Sequence, residues 1–315
     1  MSTEDDLPKP IATYKGAQKF SLGDFAEAAA SDSAPASTGG RSIGRRHVVT
    51  SLAGPLKPRD LMEESAEKQG VWRAKIVTLF PEAFPGVLGL SLTGKALHDG
   101  IWALDTIDLR PFGIGRHRNV DDTPAGGGAG MVLRPDVVAA ALDRAAEGTP
   151  EDRAKWPVIY LSPRGRPFTQ AMARRFAGAE GMTLLCGRFE GVDERVLEEY
   201  AVEEVSIGDF VLTGGELAAQ VLIDATVRLI PRVLGNQAST EEESFSDGLL
   251  EHPQYTRPAL WQGRAIPEIL QSGHHAKIEA WKRAQAERLT KERRPDLWRA
   301  WCARHNRDPD EDQEL

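Results

Sequence analysis

Short apolar runs alternate with helix-patterned stretches through the middle of this chain. At Trp72 the run RAKIVTLF reads as a buried strand, Pro81 turns the chain, and a short helix is predicted around Leu88 to His98. Further strands are predicted at Ala103 to Leu109, Val158 to Leu161 and Thr183 to Cys186, with helices at Pro135 to Ala146 and Thr169 to Ala177. Gly214-Gly215 opens a longer helix, ELAAQVLIDATVRLI, whose expected buried face is Leu217, Val221, Leu222, Ala225 and Leu229, and Pro231 stops it. Two basic helical segments follow, Ala276 to Leu289 and Pro295 to His305, before an acidic tail.

Strands alternating with helices indicate an α/β domain on a parallel sheet, with its site on loops at the strand ends. Residues 1–70 break this pattern. Stretches such as AEAAASDSAPASTGG offer few large apolar side chains, so the segment is expected to be disordered. Its mixed acids and bases also differ from an acid-poor import signal, and no apolar run reaches the roughly 20 residues of a membrane span, so a cytoplasmic protein is expected.

Composition narrows the function. With 315 residues, 41% of them hydrophobic, the chain has enough material for one large core or two modest ones. Cys186 and Cys302 lie far apart with no CxxC, which supports neither a disulfide framework nor a zinc site. A net charge of −8 argues against indiscriminate nucleic-acid binding, because that affinity comes from Lys and Arg on phosphates. Locally the balance reverses: from His252 to Arg304 there are 11 Lys and Arg against 5 acids, a surplus of 11 − 5 = 6 and a candidate RNA footprint. A solvated helix face is the plainer reading of that surplus taken alone.

Several motifs carry less than they suggest. GLSLTGKA, Gly89 to Ala96, lacks the Ser or Thr that a phosphate-binding loop places after its Lys to hold Mg²⁺. AGGGAG, Ala125 to Gly130, fits no dinucleotide spacing, and His274-His275 has no partner at metal-ligand spacing. The informative stretches are LLCGRFEGVDERV, Leu184 to Val196, and VSIGDFVLTGGELA, Val205 to Ala218. Each sets an apolar strand against a glycine-bearing turn, which exposes backbone groups that can bond an adenine edge or a carboxylate.

These stretches, together with IVTLFPEAF, RHRNVDDTPAGGGAGM, LSPRGRPF, VLGNQASTEEESF, GLLEHPQYTRPALWQG, SGHHAKIEAW and RRPDLW, run in order from about Arg73 to Trp298. Through them the chain resembles the TrmD family, tRNA (guanine-N1)-methyltransferases of the SPOUT class. The resemblance implies an α/β fold whose parallel sheet is tied in a trefoil knot, an exception to the rule that chains avoid knots. It implies residues 71–232 as a domain binding S-adenosylmethionine, 233–250 as a linker, 251–307 as a small helical domain for tRNA, and 308–315 as a tail. A homodimer is expected, with no membrane or DNA partner.

By position, the cofactor contacts fall on Pro163, Gly187, Glu190, Ile207, Gly208, Asp209, Phe210, Val211, Leu212, Gly214 and Gly215. No metal ligands are expected, although Mg²⁺ stays open as an accompanying ion. The implied reaction methylates N1 of the guanine at position 37, 3′ of the anticodon. A sulfonium donor is reactive without metal help, so the protein aligns the reactants and removes a proton. Arg228 matches the family's Arg that faces the charge developing on O6. The family's proposed base is an Asp, and Glu243 stands there instead, with Asp247 as the runner-up. Phe189, Phe210 and Ala125 replace usual tyrosines, removing hydroxyls and one ring. Another SPOUT RNA methyltransferase, or a cofactor-binding protein without turnover, are the alternatives.

Overall fold

The computed structural model describes residues 70–234 and 243–310. The expected N-terminal extension, part of the linker and the end of the acidic tail lie outside the described residues. Along the chain come β1 (Trp72–Thr78), α1 (Ser91–His98), β2 (Trp102–Asp108), β3 (Asp121–Asp122), β4 (Val132–Leu133), α2 (Pro135–Ala146) and β5 (Val158–Pro167). They continue with α3 (Gln170–Ala177), β6 (Gly181–Cys186), α4 (Glu194–Glu199), β7 (Glu203–Ser206) and α5 (Glu216–Val227). The C-terminal part holds β8 (Leu260–Trp261), β9 (Arg264–Ala265), α6 (Glu268–Gln271), α7 (His275–Arg293) and α8 (Pro295–Arg304).

Five strands form one sheet in the order β2-β1-β6-β5-β7, and every pairing in it is parallel. Parallel strands need crossovers, and the helices that supply them cover both faces. Because side chains alternate along a strand, Leu184 of β6 packs with Ala96, Phe176 and Leu222 from α1, α3 and α5, while Leu185 packs with Val137 and Val196 from α2 and α4. Apolar residues on both faces are why these strands read as unbroken hydrophobic runs.

The register of β5 against β7 contains the feature that shapes the site. Leu161 and Arg166 both align with Val205, so residues 162–165 loop out between them. Gly165 then returns so close to β7 that a Cβ there would stand 2.4 Å from the Val205 nitrogen. The sequence pattern ended this strand at Leu161, since the following residues are polar. Arg166 and Pro167 rejoin it by backbone pairing with Val205 and Ser206.

The expected buried face of α5 needs correcting. Leu222 is buried, but so are Ala218, Ala219, Ile223, Thr226 and Val227, whereas Leu217 and Val221 are exposed. This helix is apolar on most of its circumference, so periodicity could not choose the face. Its small residues let it lie close against the sheet, and the larger Leu217 and Val221 turn outward.

Residues 243–310 contain a second, smaller core of Leu249, Ala286, Trp298, Trp301 and Cys302. Thr290 secures it, its hydroxyl accepting from the Leu250 nitrogen at 2.8 Å and donating to the Ala286 carbonyl at 2.7 Å.

Candidate active site

A cavity of 330 Å³ opens where β5, β6 and β7 end, as expected for a ligand site on a parallel sheet. All the residues expected to contact the cofactor line it except Asp209. The turns after β6 and β7 are locked to each other: the Gly215 nitrogen donates to the Gly187 carbonyl at 3.0 Å. A Cβ on Gly187 would stand 2.7 Å from the Tyr160 ring, and one on Gly215 would stand 2.8 Å from the Cys186 Cα. Both close approaches explain why the sequence places glycine there.

At the mouth, Phe189 and Phe210 are both exposed, and Phe189 holds a left-handed backbone, φ 58°. Such a conformation costs about 1 kcal/mol or more for a non-glycine residue and is tolerated where it aims a side chain. Two aromatic rings lining a cavity of mixed polar and apolar walls suit a purine ring.

Three charged side chains line the cavity: Arg164, Arg188 and Glu190. Arg164 is engaged by Glu204, at 3.0 and 3.1 Å, and by Glu194 at 2.7 Å. Arg188 is paired with Glu216 at 2.8 Å. Glu190 alone of the three has no ion pair among the described residues, and it rests against Gly130 of the glycine-rich loop. An anion standing free at this rim favours a cationic ligand. Arg188, Arg164 and Tyr160 escaped the sequence reading, because no spacing rule separates a cavity arginine from a surface one.

Arg228 and Glu243 come together. The Arg228 Nη1 donates to Glu243 Oε2 at 2.7 Å, and Nη2 reaches Oε1 in a second, shorter contact. The Arg228 bond holds the Glu243 carboxyl below its ordinary value, and the same bond raises Arg228. Asp247 goes elsewhere. It accepts from Arg283 at 3.0 Å and from the Trp301 indole at 3.4 Å, at the edge of the small C-terminal core. Among the described residues no group of three His, Cys, Asp or Glu side chains is placed to hold a metal ion.

A family model described as tRNA (Guanine-1)-methyltransferase TrmD matches residues 72–300. The chain belongs to this family. A relative from Cereibacter sphaeroides (strain KD131 / KCTC 12085), named tRNA (guanine-N(1)-)-methyltransferase, is 78% identical over 247 residues, covering 78% of this chain and 99% of the relative. A protein of the same name from Ruegeria sp. (strain TM1040) is 69% identical over 246 residues, 78% of this chain and 100% of its own. One from Brucella suis (strain ATCC 23445 / NCTC 10510) is 57% identical over 242 residues, 76% of this chain and 96% of its own. Family membership therefore spans both the cavity and the basic C-terminal helices.

Proposed function

We propose that this chain transfers the methyl group of S-adenosylmethionine to N1 of the guanine at position 37 of tRNA. The observation that carries this reading is the cavity itself: in a member of this family, the two glycine turns, the aromatic mouth and the unpaired Glu190 converge at one set of strand ends. Glu190 faces the cationic donor, and the turn backbone meets its adenine and carboxylate. Membership of this family carries the trefoil knot of domain 71–232 in this reading, and the turns after β6 and β7 that it would join are bonded to each other.

Guanine presents O6, an acceptor, beside N1–H, a donor. Arg228 and Glu243, held side by side, present a donor beside an acceptor and so complement that edge. As the N1–C bond forms, the S–C bond breaks and its electrons return to sulfur, leaving a neutral thioether. The N1 proton passes to the Glu243 carboxylate, and Arg228 stabilises the charge that grows on O6.

The pair follows α5, while the cavity lies at that helix's other end. Twelve residues separate them, about 18 Å at 1.5 Å per residue, too far for one subunit to complete the site alone. A second copy supplies the missing half in this reading. Val87, Leu90, Leu92, Leu217 and Val221 are all exposed, and Gln220 and Thr93 hydrogen bonds join α5 to the segment that carries the first three. That apolar face between cavity and pair is the proposed dimer contact.

The tRNA meets residues 251–307. There Arg257, Arg264, Lys277, Arg293 and Arg299 have no ion pair among the described residues, and the β8–β9 hairpin exposes Leu260 and Trp261. No described helix is long and apolar enough to cross a membrane.

Mass spectrometry of tRNA incubated with the protein and labelled donor tests the reading. N1-methylguanine at position 37 is expected. Label on a ribose or another base would favour a different RNA methyltransferase, and donor binding without turnover a non-catalytic role.

A further inference from the structure

Glu216 is the first residue of α5, a position where an acid gains from the helix dipole while exposed to water. Here it is only 4% exposed. Its Oε1 accepts from the Thr78 hydroxyl at 2.8 Å, and its Oε2 lies 2.8 Å from Arg188 Nη2. Arg188 is clamped in turn: its Cζ lies 4.3 Å from the centre of the Phe80 ring, and Nη1 donates to the Thr213 carbonyl at 3.3 Å. Gly214 covers it so tightly that a Cβ there would stand 2.2 Å from Nε.

Neither Arg188 Nε nor Glu216 Oε2 has a hydrogen-bond partner among the described residues, so charge rather than bond geometry holds these two groups together. Burying the acid of such a pair, with its arginine about three-quarters covered, is costly, and well-packed apolar residues often serve stability better. Packing alone gives no reason for it. The arginine has a use, since it ties the turn after β7 to the loop after β6. That tie sets a full positive charge at the wall of a cavity whose ligand, on the reading above, carries a sulfonium cation.

We propose that Glu216 is a specificity-determining residue: by cancelling the Arg188 charge it lets the cavity accept the cationic donor, and so sets preference for donor over the neutral thioether product. The inference rests on S-adenosylmethionine as the cavity's ligand. Donor and product differ chiefly in the sulfonium methyl and its charge, so an uncompensated Arg188 should act on one and spare the other. Like charges roughly 10 Å apart in a partly screened cavity oppose each other by enough to change affinity about tenfold, and Arg188 lines the cavity itself.

Calorimetric titration of the full chain with S-adenosylmethionine and S-adenosylhomocysteine tests this. In Glu216→Gln, which keeps an acceptor for Thr78, donor affinity should fall about tenfold relative to product affinity. Adding Arg188→Met should restore the wild-type ratio, even if both ligands bind less well for want of the Thr213 tie. Arg188→Met alone, which removes the positive charge from the cavity wall, should move the ratio the other way, and it carries the test if Glu216→Gln does not fold. Equal weakening of both ligands in the single variants, or a ratio that the double variant fails to restore, would make the pair a structural tie and overturn the proposal. A wild-type protein that binds neither ligand would overturn the cofactor reading, and this inference with it.

Discussion

Arg228 closes α5 and grips Glu243 in a two-point ion pair, with Nη1 2.7 Å from Oε2. Each partner is roughly a quarter exposed, so the pair is partly screened by water. Its arginine holds the Glu243 carboxyl below the ordinary 4.5. A carboxyl lowered in the folded state stabilises it fully above its unfolded value, and that contribution is lost as pH falls through the lowered one. Carboxyl-labelled NMR should show Glu243 titrating below 4.5, and Arg228→Met should return it towards 4.5. An unshifted titration in the wild type would mean the pair does not persist in solution.

Glu243→Gln keeps size and hydrogen bonding but cannot take up the N1 proton. Turnover should fall about 10²- to 10⁴-fold with donor affinity little changed. Asp247→Asn should be mild, because Asp247 is committed to Arg283 and Trp301. Single-turnover methylation of tRNA separates the two, and a dead Asp247→Asn beside a healthy Glu243→Gln would reverse the assignment.

Subunit mixing should reveal whether sites are shared. Arg228→Ala removes the proposed donor towards O6, while Thr213→Trp places an indole in the cavity from an exposed position. Each protein should be nearly inactive alone. Co-refolded, they should recover up to about a quarter of wild-type activity, the share expected of one intact composite site in half of the dimers. No recovery at any ratio would argue for self-contained sites.

The exposed apolar face of α5 gives a simpler readout. Val221→Arg puts a charge on a residue that the chain leaves half exposed, so the subunit should fold but sediment as a monomer. Methylation should be lost with the dimer. A dimer that survives both Val221→Arg and Leu217→Arg would move the interface elsewhere.

Both cysteines should resist alkylation in the native state. Cys186 is fully enclosed in β6, and burial pushes its thiol well up; Cys302 is buried in the C-terminal core and raised for the same reason. Mass-spectrometric labelling should find both unmodified until denaturant is added. Rapid labelling of Cys186 would show that β6 opens.

Local pattern determined much of this protein. Pro135 at a first helical turn, followed by apolar residues at helical spacing, specified α2 to the residue, and the runs at Trp72 and Thr183 became strands of the parallel sheet. Ordered motifs from Arg73 to Trp298 carried the family, and the residues they marked for the cofactor line one cavity, save Asp209. What pattern could not decide was anything that needed a partner distant in sequence. The outward face of α5 was set by how closely Ala218 and Ala219 approach the sheet, and Arg166 and Pro167 joined a strand only because β7 lay beside them. Two acids four positions apart took different partners, Glu243 on Arg228 and Asp247 on Arg283, since each side chain pairs with whichever cation the fold brings within reach. The same holds for Glu216, whose burial against Arg188 and Thr78 exists only once β1, the loop after β6 and α5 have met.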